Sequence, residues 1–127
     1  MNKRQRIYQK YNGLCAYSGT PLEDDWQIDH INPIRRNWDG TCLFPKDDKE
    51  ANLVPVQKII NHYKHSYLLD DFRKWLLGGL HERLAKLPKN PRTEKSRKRK
   101  EYLLKVASYF DITPEKPFSG VFYFETC

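Results

Sequence analysis

Three pieces of sequence decide how this chain is read: Trp26-Gln27-Ile28-Asp29-His30-Ile31, then Asn52-Leu53-Val54, then Asn61-His62-Tyr63-Lys64-His65. The first alternates as a strand does, with Trp26, Ile28 and His30 on one face and Gln27, Asp29 and Ile31 on the other, and Pro33 ends it. The second predicts another short strand, closed by Pro55. From Val56 to about His65 the apolar residues Val56, Ile59, Ile60 and Tyr63 recur at helical spacing. A strand, a loop, a strand and a helix are short enough to gather an Asp-His pair, an Asn and a further amide or imidazole around one cation. Phosphodiester hydrolysis needs such a set: a base for the attacking water, and a positive centre for charge developing on phosphate and leaving oxygen. Imidazole supplies the base near neutral pH, and carboxylate and amide oxygens suit a hard divalent ion.

These residues resemble the HNH nucleases of the ββα-metal class, whose pattern runs from Cys-x-x-Cys-Gly through Asp-His-Ile-x-Pro to Asn-Leu-x-Pro and Asn-x-x-Lys. The matching stretches are Cys15-Ala-Tyr-Ser-Gly19, Asp29-His30-Ile31-Asn32-Pro33, Asn52-Leu53-Val54-Pro55 and Asn61-His62-Tyr63-Lys64, within about residues 10 to 66. The Asn-His-Tyr-Lys-His run and the Phe-Tyr-Phe-Glu ending also resemble small stand-alone HNH proteins of bacteria and phages. The resemblance implies that His30 is the general base and that Asp29 and Asn61 hold one Mg²⁺ or Mn²⁺ ion. It also implies that Asn52 holds the two loops together and orients the histidine. His62 and His65 are alternative ligands or phosphate contacts, and Lys64 a phosphate contact. On an ideal strand Asp29 and His30 point to opposite faces, so the shared role requires a twist or bulge before Pro33. Many members carry a structural zinc on two Cys pairs. Here only Cys15 remains, with Ser18, Gln57 and Ile60 in the other places, so zinc is not expected.

Taken singly, His30 suits a core histidine, Asn52 a turn, Asn61 a polar helix position, and His62 and His65 the surface. The ordered set is what points to a site. Around it, residues 3 to 12 read as a helix stopped by Asn12-Gly13, and the loop from Asn32 to Glu50 has Cys42-Leu43-Phe44 as its one apolar stretch. Asp70 or Asp71 caps a helix carrying Phe72, Trp75, Leu76, Leu80, Leu84 and Leu87, weakened by Gly78-Gly79. Ser96 caps another through Phe110, and Val121-Phe122-Tyr123-Phe124 reads as a strand on a sheet edge. The aromatic residues among these, Trp26 included, suit core better than base stacking.

The chain has 127 residues and a net charge of +7. That length fits one domain with a real core, and 17 aromatic residues (6 Phe, 8 Tyr, 3 Trp) are too many for a disordered chain. No window approaches a membrane span, the basic start leads into no apolar signal core, and Cys15, Cys42 and Cys127 form no disulfide framework. A cytoplasmic protein is expected. The charge is local: from Lys86 to Lys105 nine basic residues face only Glu94 and Glu101, an excess of seven that equals the whole net charge. Lys95, Arg97, Lys98, Arg99 and Lys100 are the candidate nucleic-acid contacts.

The expectation is therefore an α+β fold in one domain, residues 1–127. It has a ββα-metal core over about 10–66 and a mostly helical, basic extension over 67–127 that ends in a strand. Its expected function is metal-dependent endonucleolytic hydrolysis of DNA, leaving 5′-phosphate and 3′-hydroxyl ends. One site cuts one strand, so a double-strand cut requires a homodimer or two nicks. Two alternatives remain: a non-catalytic nucleic-acid-binding module, and a nuclease subunit active only with a partner in a larger defence or phage assembly.

Overall fold

A computed structural model describes residues 1–32, 38–39, 41, 49–65 and 67–127. Pro33 as the end of the first strand, and the Cys42-Leu43-Phe44 stretch, lie outside them. The fold is mixed: helices and a two-stranded antiparallel sheet. It divides into two compact units, Met1–Asp70 with Phe122–Cys127, and Asp71–Val121.

The first unit opens with α1 (Lys3–Gln9). Asn2 caps it by accepting the Gln5 N–H, while the Gln5 side chain accepts the Asn2 N–H, so two otherwise orphaned donors are satisfied reciprocally. The helix ends earlier than residue 12. Asn12 and Gly13 both adopt left-handed φ, and the Gly13 N–H donates back to the Tyr8 carbonyl. Strands β1 (Gln27–His30) and β2 (Leu53–Val56) then pair in the register Gln27 with Val56 through His30 with Leu53. A 3-10 turn, Glu50–Asn52, leads into β2.

Pro55 does not close β2 as the sequence led us to expect; it sits inside the strand opposite Ile28. Its carbonyl points away from β1 and accepts the Ala16 N–H at 2.9 Å, so the donor that proline lacks falls on the side where the β1 ladder does not need it. Val56 accordingly belongs to the strand. The helix that follows, α2 (Lys58–Lys64), is shorter than anticipated. Ile7, Trp26 and Leu53 form an apolar cluster with Leu22 and Ile28 packed on it, which fixes one face of β1 against α1 and β2.

The C-terminal residues form no strand. Tyr123–Thr126 is a 3-10 turn, and its entry donates backbone N–H groups from Tyr123 and Phe124 to the carbonyls of Tyr17 and Ala16. Phe122 is fully buried with its ring edge-on to Tyr17, and aromatic packing wins over the extended pattern that the alternation implied.

The second unit is helical. α3 (Leu69–Lys74) begins just before it and contains Asp70 and Asp71 rather than being capped by them. A π-helical turn, Trp75–Leu80, absorbs Gly78-Gly79, and α4 (His81–Lys86) follows without a break. α5 (Glu94–Tyr109) is capped by Thr93, whose hydroxyl accepts the Ser96 N–H, so the cap lies three residues before the serine first assigned to it. Buried residues of this unit include Phe72, Leu76, Leu80, Leu84, Leu103, Val106 and Phe110, with Phe110 edge-on to both Phe72 and Phe118.

Candidate functional site

The two faces of β1 have different fates. Ile28 belongs to the face that joins the apolar cluster, whereas Gln27 and Asp29 meet α2. Asn61 and Lys64, three residues apart, share one side of that helix. The Asn61 amide donates to Gln27 Oε1 at 2.7 Å, and the Lys64 ammonium lies 3.1 Å from Asp29 Oδ2. Lys64 is fully buried and also donates to the His30 carbonyl at 3.1 Å. The Tyr17 hydroxyl donates to the same Asp29 Oδ2 at 2.7 Å, and the ammonium sits 5.9 Å from the centre of the Tyr17 ring. Burial, then the negative charge and hydrogen bond of Asp29, push the Tyr17 hydroxyl well above its ordinary pKa, so it stays a donor.

His30 closes β1 half-buried. The segment beyond it is tied down by Asn52: Ile31 N–H donates to the Asn52 carbonyl, Asn32 N–H to Asn52 Oδ1 at 3.0 Å, and Asn52 Nδ2 to the Asn32 carbonyl at 2.9 Å. The side-chain amide acts as an extra peptide group, continuing the antiparallel pairing one step past the strand. A cleft of about 260 Å³, lined by Ile31, Asn32, Lys49, Ala51 and Asn52, opens there. A cleft of about 250 Å³ lies elsewhere, where Arg4 covers the Trp26 ring, and its lining includes none of Asp29, His30, Asn52 and Asn61.

Three expectations change. β1 holds a regular register through His30, so no bulge within it turns the Asp29 and His30 side chains to one face. Asp29 and Asn61 are not brought together as a ligand pair, since Asn61 meets Gln27 and Lys64 meets Asp29. Lys64, sealed against that carboxylate, is not presented to a phosphate. His62 and His65 are exposed, and His65 leaves the helix through a left-handed φ of 53°. Among the described residues no three His, Cys, Asp or Glu side chains cluster. The donor chemistry of Asp29 and Asn61 suits a hard cation, but their arrangement does not form a site for one.

Sequence reasoning passed over Tyr17, Gln27 and Gln57. Gln27 follows from facing, since it stands two residues from Asp29 on the strand, whereas Tyr17 hides in turn-forming sequence. Gln57 is fully buried. Its amide nitrogen donates to the Pro21 carbonyl at 2.7 Å and to Thr20 Oγ1 at 3.2 Å, and its oxygen accepts the Glu23 N–H at 3.1 Å. It staples residues 20–23 to the start of α2, with Cys15 and Ile60 buried as well.

In the other unit, Lys95, Arg97, Lys98 and Arg99 are exposed on α5. Arg97 and Lys98 pair with Glu94, at 3.0 and 3.8 Å. Lys100 turns back to the carbonyls of Pro88 and Lys89 at 2.9 and 3.0 Å, a bracing role unlike the phosphate contact expected of it. No described helix is long and apolar enough to cross a membrane. The sequence matches no family model and no curated protein.

Proposed function

We propose that this chain is an HNH-type endonuclease that hydrolyses DNA phosphodiester bonds. The observation that carries the reading is the order of parts in the first unit. An antiparallel strand pair ends in Asp29-His30, Asn52 clamps the backbone just beyond, and α2 packs Asn61 and Lys64 along the same strand. His30 is the general base. Its imidazole accepts the proton of the attacking water, and its backbone is held on one side by Lys64 and on the other by the Asn52 clamp. The cleft lined by Ile31, Asn32 and Asn52, which begins one residue past His30 in the chain, gives a phosphate room. α5 supplies non-specific backbone contacts through Lys95 and Arg99, with Arg97 and Lys98 shared with Glu94.

The test is incubation of the protein with supercoiled plasmid and Mg²⁺ or Mn²⁺, followed by treatment of the nicked circle with DNA ligase. Nicks that ligase seals carry the expected 5′-phosphate and 3′-hydroxyl ends. No nicking, or nicks that ligase cannot seal, count against the reading. A second reading, a non-catalytic nucleic-acid-binding module, draws on the Asp29–Lys64 pair, which neutralises the carboxylate internally. It expects DNA binding without cleavage, unchanged by His30→Ala.

A further inference from the structure

Lys64, the lysine expected to contact phosphate, is sealed against Asp29, so a phosphate in the cleft past His30 has to draw its cation from another element. The cleft of about 260 Å³ supplies one, Lys49, which shares the lining with Ile31, Asn32, Ala51 and Asn52. Among the described residues that lining holds one cation, two asparagines and no carboxylate, a balance that suits an anion.

The backbone fixes where Lys49 stands. Its carbonyl accepts the Asn52 N–H at 2.9 Å, and the Asn52 carbonyl accepts the Ile31 N–H at 2.9 Å, so two hydrogen bonds link Lys49 to the residue after His30. Its extended backbone, φ −140° and ψ 153°, leads into the 3-10 turn Glu50–Asn52. That turn is anchored on α1: Arg6 Nε lies 2.9 Å from Glu50 Oε1, and Lys10 Nζ donates to the Glu50 carbonyl at 3.2 Å. The Glu50 carboxylate is thereby engaged by Arg6, while Lys49 is exposed at the lip of the cleft.

We propose that Lys49 is the phosphate-binding lysine of this site: its ammonium pairs with a DNA phosphate seated in the cleft, and the hydrogen bonds through Asn52 hold that contact in place relative to His30. Its part in cleavage rests on the nuclease reading, whereas the contact itself rests on the cleft. On an exposed, flexible stem the ammonium acts as a point charge, so arginine at this position should serve and a neutral side chain should not.

Two measurements on the full chain test this, with folding checked by circular dichroism. In ¹⁵N NMR with a short DNA duplex in EDTA, the wild-type backbone amides of Asn32 and Asn52 are expected to shift, and Lys49→Ala to lose most of those shifts. In single-turnover plasmid nicking with all DNA bound, Lys49→Ala is expected to be at least about tenfold slower than wild type, and Lys49→Arg to recover most of the loss. No shift at Asn32 and Asn52 in the wild type, or shifts that persist in Lys49→Ala, overturns the proposal. An unchanged nicking rate for Lys49→Ala with all DNA bound also overturns it, and leaves the nuclease reading standing. Shifts that depend on Lys49, with no nicking by any of the three proteins, defeat the nuclease reading and leave the phosphate contact standing.

Discussion

Replacing Gln57 with leucine tests how the first unit holds its shape. Leucine nearly matches the glutamine in volume, so the loss is one of pairing. The Pro21 carbonyl and Glu23 N–H, both partly buried, lose the partners they have at 2.7 and 3.1 Å, and Thr20 loses a weaker one at 3.2 Å. Each polar group stranded in this way costs about 1–3 kcal/mol, with partial exposure favouring the low end. Burying the leucine's extra apolar surface returns about 1 kcal/mol. A net loss of about 2 kcal/mol follows, and Gln57→Glu should lose more, because it removes both donated bonds and buries a carboxylate. For 127 residues at about 2.1 cal/mol/K per residue, 1 kcal/mol corresponds to about 4 °C, so Gln57→Leu should melt about 8 °C lower. Urea unfolding followed by circular dichroism at pH 7 should show a lower midpoint with an unchanged slope, and the Glu23 amide should lose exchange protection first. A destabilisation below about 0.5 kcal/mol would refute the staple.

Tyr17→Phe removes one hydrogen bond to a charged group and should cost about 1.5–3 kcal/mol near pH 7, read by urea unfolding. Because burial and Asp29 raise the Tyr17 pKa in the fold, its contribution is complete below the ordinary tyrosine pKa of about 10 and is lost as pH rises above that; the variant should therefore show a shallower alkaline loss of stability than wild type. On α5, Lys95→Ala with Arg99→Ala should reduce the slope of log DNA affinity against log salt by about 0.9 for each phosphate contact removed. Lys100→Ala should instead lower the melting temperature while leaving that slope nearly unchanged, since its ammonium is engaged by the Pro88 and Lys89 carbonyls. Fluorescence anisotropy across a salt series separates these outcomes.

What was legible in the sequence was the part written in local pattern. The Asn12-Gly13 stop, the alternation around Asp29 and the amphipathic residues of α2 and α5 each depend on neighbours a few positions away, and the elements appear with only their ends displaced. Pro55 misled because a proline is excluded only where the ladder needs its N–H, and which side of β2 faces β1 is settled by Ala16, far away in sequence. The Phe122-Tyr123-Phe124 run has strand composition, yet its place against Tyr17 depends on a contact across more than a hundred residues. Lys64 was the largest surprise. A lysine reads as surface charge unless its partner is known, and the partnership with Asp29 arises only when α2 folds onto β1. Gln57 was visible as a departure from the family pattern, but its three hydrogen bonds reach into a loop whose course the sequence does not dictate.

The most direct measurement is the first-order rate of plasmid nicking by wild type and His30→Ala, each folded and each matched for DNA affinity, in saturating Mn²⁺. If His30 is the base, the variant should be slower by at least about 100-fold. Equal rates for the two proteins would contradict the account.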